Sequence, residues 1–222
     1  MIIAIVGRSH AGKKAIAKQI CGEFKGVFAR FKPYTTRSWG SCIKPHNYMS
    51  LDEYYKLSED DIFYTMTNEH NDILFALKSQ FSPDKDVVLV VDDPAHIAKL
   101  CELGIPYVVV YVTCSDEYAE HRARVEHDNL RIVKRRFQAV RPRLEELEAS
   151  GNYSYFFDTS SLAESAKRLG VVYMLRDIRA MRSENVDIEH MPFLAEILPD
   201  GWMDSAKQLG FYGLSLAPSR EG

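Results

Sequence analysis

The chain has 222 residues, of which 46% are hydrophobic and 27% charged, and its formal net charge is −3. This length and composition are typical of one globular domain with a sizeable core, and the acidic balance argues against a protein that binds nucleic acid through bulk charge. No apolar run approaches the roughly 20 residues of a membrane-spanning helix. The start, MIIAIVG, lacks the basic region and cleavage site of a signal peptide, and the four cysteines are scattered. We therefore expect a cytoplasmic protein with reduced thiols, no zinc site, and neither a membrane nor a nucleic-acid partner.

The N-terminus predicts a strand, a glycine-bearing loop and a helix, in that order. Residues 2–6, IIAIV, form a short apolar run that is typical of a strand buried on both faces of a parallel sheet. The loop spans 7–12. After it, Ile16, Ile20 and Phe24 recur every four residues, which is the spacing of one helix face.

The loop between this strand and helix follows the pattern of a phosphate-binding loop, G-x-x-x-x-G-K-[ST], except at its last position. Gly7, Gly12 and Lys13 are in register, but Lys14 replaces the hydroxyl residue that normally binds Mg²⁺, and an ammonium group has no lone pair to offer. The alternative is a glycine-rich turn without a ligand. The strand and helix on either side favour nucleotide binding, and the predicted nucleotide-binding residues are Gly7, Arg8, Ser9, His10, Ala11, Gly12, Lys13 and Lys14.

The next segment is rich in turn-forming residues and then becomes regular. Residues 32–50 are predicted to form a loop because they contain two prolines, a glycine and several hydroxyl residues. A helix over 50–57 is predicted to begin at Ser50, with Glu53 completing a capping box. Two short strands are predicted at 62–67 and 73–77.

A run of apolar residues that ends in two carboxylates predicts the clearest strand, at 86–93. A helix follows, opened by Pro94 and closed by Gly104. Because open α/β sheets bind ligands at the carboxyl ends of their strands, Asp92 is a candidate to hold Mg²⁺ through water. Asp93 is predicted to cap the helix instead.

The second half of the chain continues the alternation of strands and helices. We predict strands at 106–113 and 153–159, a helix over 116–148 with a break near 126–131, and a final amphipathic helix over 161–182. This alternation predicts an α/β fold with a parallel sheet.

Residues 121–143 contain eight Arg or Lys residues in an otherwise acidic chain. Two interpretations remain open: a solvated basic face, or a lid whose arginines neutralise charge during phosphoryl transfer. Residues 33–39, PYTTRSW, add two hydroxyls and an arginine that suit the binding of a phosphate.

Together, these segments resemble guanylate kinase, a P-loop nucleoside monophosphate kinase, in order and spacing over roughly residues 1–170. The similar segments are the N-terminal loop, YTTRSWGSCIKPHNYMSLDEYYKL, VVLVVDDPAHI, HRARVEHDNLRIVKRRFQAV and YFFDTSSL. The resemblance implies a P-loop NTPase-type parallel sheet with helices on both faces. It also implies an NMP-binding-type subdomain at 33–80 and a helical lid at 120–137.

The resemblance further implies roles for individual residues and two ligands, ATP and Mg²⁺. The implied catalytic residues are Lys13, Arg37, Arg122, Arg124 and Arg136. The implied acceptor-binding residues are Arg37, Tyr48 and Asp92, of which Asp92 is also the implied Mg²⁺ residue, acting through water.

Several positions depart from the family pattern, mostly on the acceptor side. Pro33 and Gly40 replace a serine and an arginine, and Tyr64 or Thr65 falls where the family has the glutamate that reads guanine. HNDILFAL also replaces a glycine- and tyrosine-bearing segment of the family. A site that loses its hydrogen-bonding group loses its preference for that base, so we predict that GMP is not the preferred acceptor.

Two functions follow from this pattern. The first is a nucleoside or deoxynucleoside monophosphate kinase with an altered acceptor site. The second is a catalytically impaired module that binds a nucleotide or a protein. Residues 171–222 are predicted to form a helical extension that packs on the core. The alternative for this tail is a contact with another subunit or with a partner, and a homodimer is the oligomer that we consider.

Overall fold

The computed structural model of the chain describes residues 1–23, 27–37, 46–67, 71–82, 84, 86–160, 170–172 and 174–175. Its strands are β1 (Ile2–Gly7), β2 (Phe28–Arg30), β3 (Tyr34–Thr35), β4 (Asn47–Tyr48), β5 (Ile62–Thr67), β6 (Ile73–Leu77), β7 (Asp86–Val91), β8 (Tyr107–Thr113) and β9 (Tyr155–Asp158). Its α-helices are α1 (Lys13–Glu23), α2 (Leu51–Tyr54), α3 (Ala95–Ala98), α4 (Asp116–Val125) and α5 (Leu130–Ser150). Within these residues, no helix is both long enough and apolar enough to cross a membrane.

Five parallel strands form the central sheet, in the order β2-β7-β1-β8-β9. The central strand β1 pairs with β7 on one side and with β8 on the other. Its side chains alternate between two core clusters: Ile3 and Ile5 belong to one, and Ile2, Ala4 and Val6 to the other. The first cluster includes residues of α1 and α4, and the second includes residues of α3 and α5. The predicted parallel α/β sheet with helices on both faces is therefore confirmed.

A second sheet of four short strands, in the order β4-β3-β6-β5, lies within residues 34–77. This stretch falls inside the range 33–80 predicted for the acceptor subdomain. The strands predicted at 62–67 and 73–77 are confirmed. The loop prediction for 32–50 is wrong at β3 and β4, because β3 pairs through its backbone with β6 and β4, and a composition signal cannot anticipate such pairing.

The helices match their predicted positions more closely than their predicted lengths. Ser50 and Glu53 form the expected capping box, but α2 has only four residues. The helix predicted between Pro94 and Gly104 is one turn of α-helix followed by a 3-10 turn, and it ends at Gly104 in the left-handed conformation. The predicted break near 126–131 is confirmed at 126–129, where the Asn129 side chain caps α5.

Only part of the predicted C-terminal helices falls within the described residues. Residues 170–172 and 174–175 are helical, and Val171, Met174 and Leu175 are fully buried in the core cluster that contains Ile3. The rest of the helix predicted at 161–182, and the rest of the extension predicted at 171–222, lie outside the described residues.

Candidate functional site

A cleft of about 620 Å³ opens at the carboxyl ends of the central strands. It lies beside β1, where the strand order of the sheet reverses, which is the usual ligand-binding position in open α/β folds. Its charged lining consists of five basic side chains (Lys13, Lys14, Arg30, Arg122 and Arg136) and three carboxylates (Asp92, Glu126 and Asp128). The excess of basic groups favours an anionic ligand.

The loop between β1 and α1 forms one wall of the cleft and depends on two glycines. Gly7 has a φ of 149° and Gly12 a φ of 94°, and residues other than glycine rarely adopt these backbone conformations. A Cβ atom on Gly7 would overlap the carbonyl oxygen of Val112 in β8. Helix α1 begins immediately after the loop, at Lys13, so its N-terminal N–H groups face the cleft.

Lys13 lies on the floor of the cleft with its side chain only 6% exposed. Its Nζ donates to the carbonyl oxygens of Gly7 and Arg8, both at 2.6 Å, and forms an ion pair with Asp92 Oδ1 at 2.8 Å. Crowding by protein atoms opposes ionisation of Asp92, but Lys13, with help from Lys14 and Arg136, outweighs this effect and lowers the pKa of the carboxyl. Half of the Asp92 side chain remains open to water, so it can still hold a hydrated cation.

Two polar side chains, those of Arg8 and Thr159, connect the loop to neighbouring elements of the fold. The Arg8 guanidinium lies 3.8 Å from the ring centroid of Phe137 in α5 and pairs with Asp116 at the start of α4. The Thr159 hydroxyl, which is buried, donates to the Ala11 carbonyl at 2.7 Å. The loop is thus fixed to the end of β9 and to both helices of the basic segment.

A third contact joins the loop to the basic segment at the rim of the cleft. The His10 side chain lies between two carboxylates: its Nδ1 is 3.4 Å from Glu126 Oε2, and its Nε2 is 3.2 Å from Asp128 Oδ2. Both carboxylates belong to the turn between α4 and α5.

The three arginines predicted for the lid do not share one environment. Arg122 and Arg136 line the cleft. The Arg122 guanidinium approaches within 3.7 Å of the position that a Cβ on Gly12 would take, and it binds Glu126 at 2.9 Å. Arg124 binds Glu120 instead, at 3.3 Å, and is not among the residues that line the cleft. Its catalytic role stays a prediction that requires movement of α4.

The predicted acceptor residues Arg37 and Tyr48 also lie outside the described lining of the cleft. The Arg37 side chain is half exposed, with its Nε 3.9 Å from Asp72, and Tyr48 is 51% exposed. The hydroxyls of Thr35 and Thr36 accept the backbone N–H groups of Arg37 and Ile73, so both stabilise the second sheet. Gly40 lies outside the described residues.

The lining of the cleft also contains two groups that the sequence analysis did not single out. Arg30, at the end of β2, and His46, before β4, both line the cleft. Burial, together with Lys14 and Arg30, lowers the pKa of His46. Arg30 was missed because three residues are too few to show a strand period. His46 was missed because a lone histidine in a turn-rich stretch carries no motif.

Tyr64, which the resemblance places near the position of the family's guanine-reading glutamate, is a buried aromatic residue. Its ring stacks on His96 with a centroid separation of 4.6 Å, and burial, reinforced by the charge of Asp92, raises the pKa of its hydroxyl. Tyr64 therefore stays neutral and cannot act as an anionic acceptor for a base edge.

Asp93 has the structural role predicted for it. One carboxylate oxygen accepts the N–H of Ala95 at 3.0 Å, at the start of α3. Both oxygens also bind Arg143 of α5, each at 2.7 Å. Asp93 therefore fixes α3 to α5, whereas Asp92, one residue earlier, faces the cleft.

Comparison with known proteins identifies a similar fold. The chain is similar to the crystal structure of guanylate kinase from Anaplasma phagocytophilum, with a TM-score of 0.54 and 14% identity, over 83% of this chain and 87% of that one. It also matches an uncharacterized protein from Eubacterium ventriosum at a TM-score of 0.42 and 8% identity, over 81% of this chain and 99% of that one. No protein-family model matches the sequence, and no curated protein is significantly similar to it. The first similarity establishes a guanylate-kinase-like fold.

Proposed function

We propose that the chain is a guanylate-kinase-like nucleoside or deoxynucleoside monophosphate kinase that transfers the γ-phosphate of ATP to an acceptor other than GMP. The observation that carries this proposal is the position of Lys13. It lies on the floor of a cationic cleft, beside a glycine loop and a helix N-terminus. Its Nζ is 2.8 Å from Asp92 Oδ1. These are the groups that bind and orient a polyphosphate.

The proposed transfer needs positioning and charge neutralisation rather than a protein base. Lys13 would leave its carbonyl partners and contact the terminal phosphates of ATP. Arg122 and Arg136, which already line the cleft, would neutralise charge on the transferring group, and Arg124 would join them if α4 moved.

The residues present fit ATP better than they fit its metal ion. Loop 7–13 offers backbone N–H groups and Lys13, whereas Lys14 offers no ligand atom for a cation. Asp92 is half exposed and is the residue that would hold Mg²⁺ through water. When bound with ATP, Mg²⁺ supplies neutralisation of phosphate charge.

The acceptor side supports a substrate other than GMP. Tyr64 presents a neutral ring where a carboxylate would be needed to read guanine, and Arg30 and His46 add polar groups to the lining of the cleft. Arg37 and Tyr48 would reach an acceptor phosphate only if the second sheet closed toward the cleft.

A second candidate function is a nucleotide- or protein-binding module without catalysis. Two observations favour it: Lys14 replaces the metal-binding hydroxyl, and Arg37 and Tyr48 lie outside the described lining of the cleft. Such a module would still bind phosphate on the loop.

The test is a phosphotransfer screen with ATP, Mg²⁺ and the common ribo- and deoxyribonucleoside monophosphates. We expect transfer to at least one acceptor, with GMP not favoured. Lys13→Ala should weaken ATP binding about 100-fold, because two charge-assisted hydrogen bonds of about 1.5 kcal/mol each are lost. Lys18→Ala, an exposed lysine in the same helix, is the matched control. Unchanged ATP affinity in Lys13→Ala would refute nucleotide binding at this loop.

Lys14→Thr distinguishes the enzyme from the module. If the enzyme is limited by the lack of a hydroxyl that binds Mg²⁺, the new threonine should raise Mg²⁺-dependent turnover. If the enzyme has adapted to Lys14, the threonine should lower turnover. Background turnover in both proteins, with every acceptor, would reject the kinase and leave the binding module.

A further inference from the structure

We propose that His10, Glu126 and Asp128 form a binding site for a divalent transition-metal ion, which joins the loop to the turn between α4 and α5. The site is separate from the Mg²⁺ that accompanies ATP, and it does not depend on phosphotransfer. One ligand atom from each of the three residues lies within 4.8 Å of the other two. Among the described residues, this is the one cluster of three or more His, Cys, Asp or Glu side chains with such a spacing.

The distances suit two ligands of one ion. Nδ1 of His10 lies 3.4 Å from Glu126 Oε2. Two ligands at about 2.1 Å from a tetrahedral ion are separated by roughly 3.4 Å. The two nitrogens of an imidazole point in different directions, so one binds the ion and the other faces a carboxylate. That arrangement, in which a carboxylate orients a histidine ligand, is usual in metal sites.

The histidine is buried and incompletely satisfied. Its side chain is 7% exposed, and within the part of the chain that the structure describes its Nδ1 has no hydrogen-bond partner. A buried polar atom without a partner costs roughly 1–3 kcal/mol. A metal ion bound at this nitrogen would remove that cost, whereas the nearby Glu126 oxygen does not meet hydrogen-bond geometry.

The turn from α4 to α5 directs both carboxylates at the histidine. His127, between them, has a φ of 57°, and the N–H groups of Glu126 and Asp128 bind the carbonyls of Arg122 and Ala123. The Arg122 guanidinium binds Glu126 Oε1, so Oε2 is the oxygen that faces His10. The two carboxylate side chains are 46% and 56% exposed, which leaves a path for the ion from solvent.

The ligand set selects the class of ion. Imidazole suits Zn²⁺ and other transition metals, whereas Mg²⁺ and Ca²⁺ prefer oxygen ligands alone. The proposed site therefore departs from the sequence-based prediction of no zinc site, because the fold joins His10 to residues that are more than 100 positions away in the chain. Two carboxylates balance the charge of a divalent ion. With Nδ1 of His10 and Glu126 as ligands, and Asp128 facing the other ring nitrogen, a tetrahedral ion keeps coordination positions for water or another oxygen ligand.

The test is isothermal titration calorimetry, in which the chelator-treated chain is titrated with ZnCl₂ alone, with MnCl₂ alone and, for comparison, with MgCl₂. His10→Asn is matched with His127→Asn. Both histidines have positive φ, at 65° and 57°, which asparagine tolerates. His127 supplies an exposed neighbouring imidazole that is not in the cluster. Glu126→Gln and Asp128→Asn remove one charge each with little change in shape.

We expect one equivalent of Zn²⁺ or Mn²⁺ to bind with at least tenfold higher affinity than Mg²⁺. His10→Asn and Glu126→Gln should weaken binding about 10- to 100-fold, and His127→Asn should leave it unchanged. Circular dichroism checks that each variant is folded. If His10→Asn unfolds, the two exposed carboxylate variants decide the question. Wild-type affinity in Glu126→Gln and Asp128→Asn, or no binding by the wild-type chain, would overturn the proposal.

Discussion

The loop wall of the cleft differs in exposure from the predicted acceptor residues, which would form an acceptor wall if the second sheet closed toward the cleft. On the loop wall, Lys13 contacts three oxygen atoms, and Thr159 fixes the loop to the end of β9. In contrast, Arg37 and Tyr48 are about half exposed and do not line the cleft. The contacts of the loop wall are therefore already formed without a ligand, whereas Arg37 and Tyr48 would have to move to contact a ligand in the cleft.

This difference follows from where each wall is attached. The loop connects the central strand of a five-stranded sheet to a helix, so backbone pairing on both sides limits its movement. Of the predicted acceptor residues, Tyr48 lies in the two-residue edge strand β4, and Arg37 follows the two-residue strand β3. Fewer backbone contacts hold them, so their positions are less restrained.

The largest effect is expected for Gly7→Ala, which tests the rigidity of the loop wall. A Cβ at this position would overlap the backbone of Val112, and a φ of 149° is unfavourable for alanine. The central strand would have to shift, so we expect a loss of more than about 4 kcal/mol in the free energy of unfolding, or no folded protein. Urea unfolding followed by circular dichroism measures the loss.

Gly22→Ala is the control for this substitution. Gly22 lies in α1, and a Cβ there meets no atom within 4 Å. Alanine should therefore stabilise the chain by up to about 1 kcal/mol through its higher helix propensity. Similar unfolding free energies for the two variants would show that the loop is not tightly packed against β8.

The loop wall was largely predictable from sequence, for a physical reason. Gly7, Gly12 and Lys13 are close in the chain, and the apolar strand before them and the helix period after them are local signals. Asp92 was predictable in the same way, because it directly follows a buried strand.

The contacts that fix the loop to the end of β9 were not predictable, because they join residues that are far apart in the chain. Thr159 binds Ala11, 148 residues away, and no local pattern marks a threonine for that role. The basic segment is different, because Arg122 and Arg124 pair with carboxylates four residues away and Lys134 pairs with Glu120 of α4. The movement of this segment as a lid stays a prediction.

The second effect concerns the attachment of the loop at Thr159. Thr159→Val keeps the side-chain shape but leaves the Ala11 carbonyl without its buried donor, which should cost about 1–3 kcal/mol of unfolding free energy. Urea unfolding measures this loss, and calorimetry should show weaker ATP binding. Thr159→Ser retains the hydroxyl and should keep most of the stability. Equal losses in both variants would assign the effect to packing instead.

The third prediction asks whether the acceptor wall closes. If Arg37 contacts an acceptor phosphate, Arg37→Ala should raise the acceptor KM about tenfold, the equivalent of one charge-assisted hydrogen bond, and leave the KM for ATP unchanged. Lys56→Ala, an exposed cation near the same sheet, is the control. An unchanged acceptor KM, together with a raised KM in Arg30→Ala, would place the acceptor phosphate on the β2 side of the cleft.

The smallest expected effect concerns the ion pair of Lys13 with Asp92. It is a change in how the free energy of unfolding depends on pH. Because the folded-state pKa of Asp92 is lowered, its ionised form stabilises the folded chain. That contribution is fully present above the unfolded-state pKa of about 3.9, and it is lost as the pH falls through the lower folded-state value. In Asp92→Asn, unfolding free energy should therefore fall less steeply below about pH 4 than in the wild-type chain.

Urea unfolding between neutral pH and about pH 2.5 measures these slopes, with Asp84→Asn as a control for an exposed carboxylate. Identical slopes for the wild type and Asp92→Asn would show that the pair does not stabilise the loop wall. A second measurement uses ATP. If the phosphates of ATP bind Lys13, they replace Asp92 as its anionic partner. With saturating ATP at neutral pH, the stability difference between the wild type and Asp92→Asn should shrink. An undiminished difference would mean that Lys13 keeps Asp92 as its partner and does not contact the nucleotide.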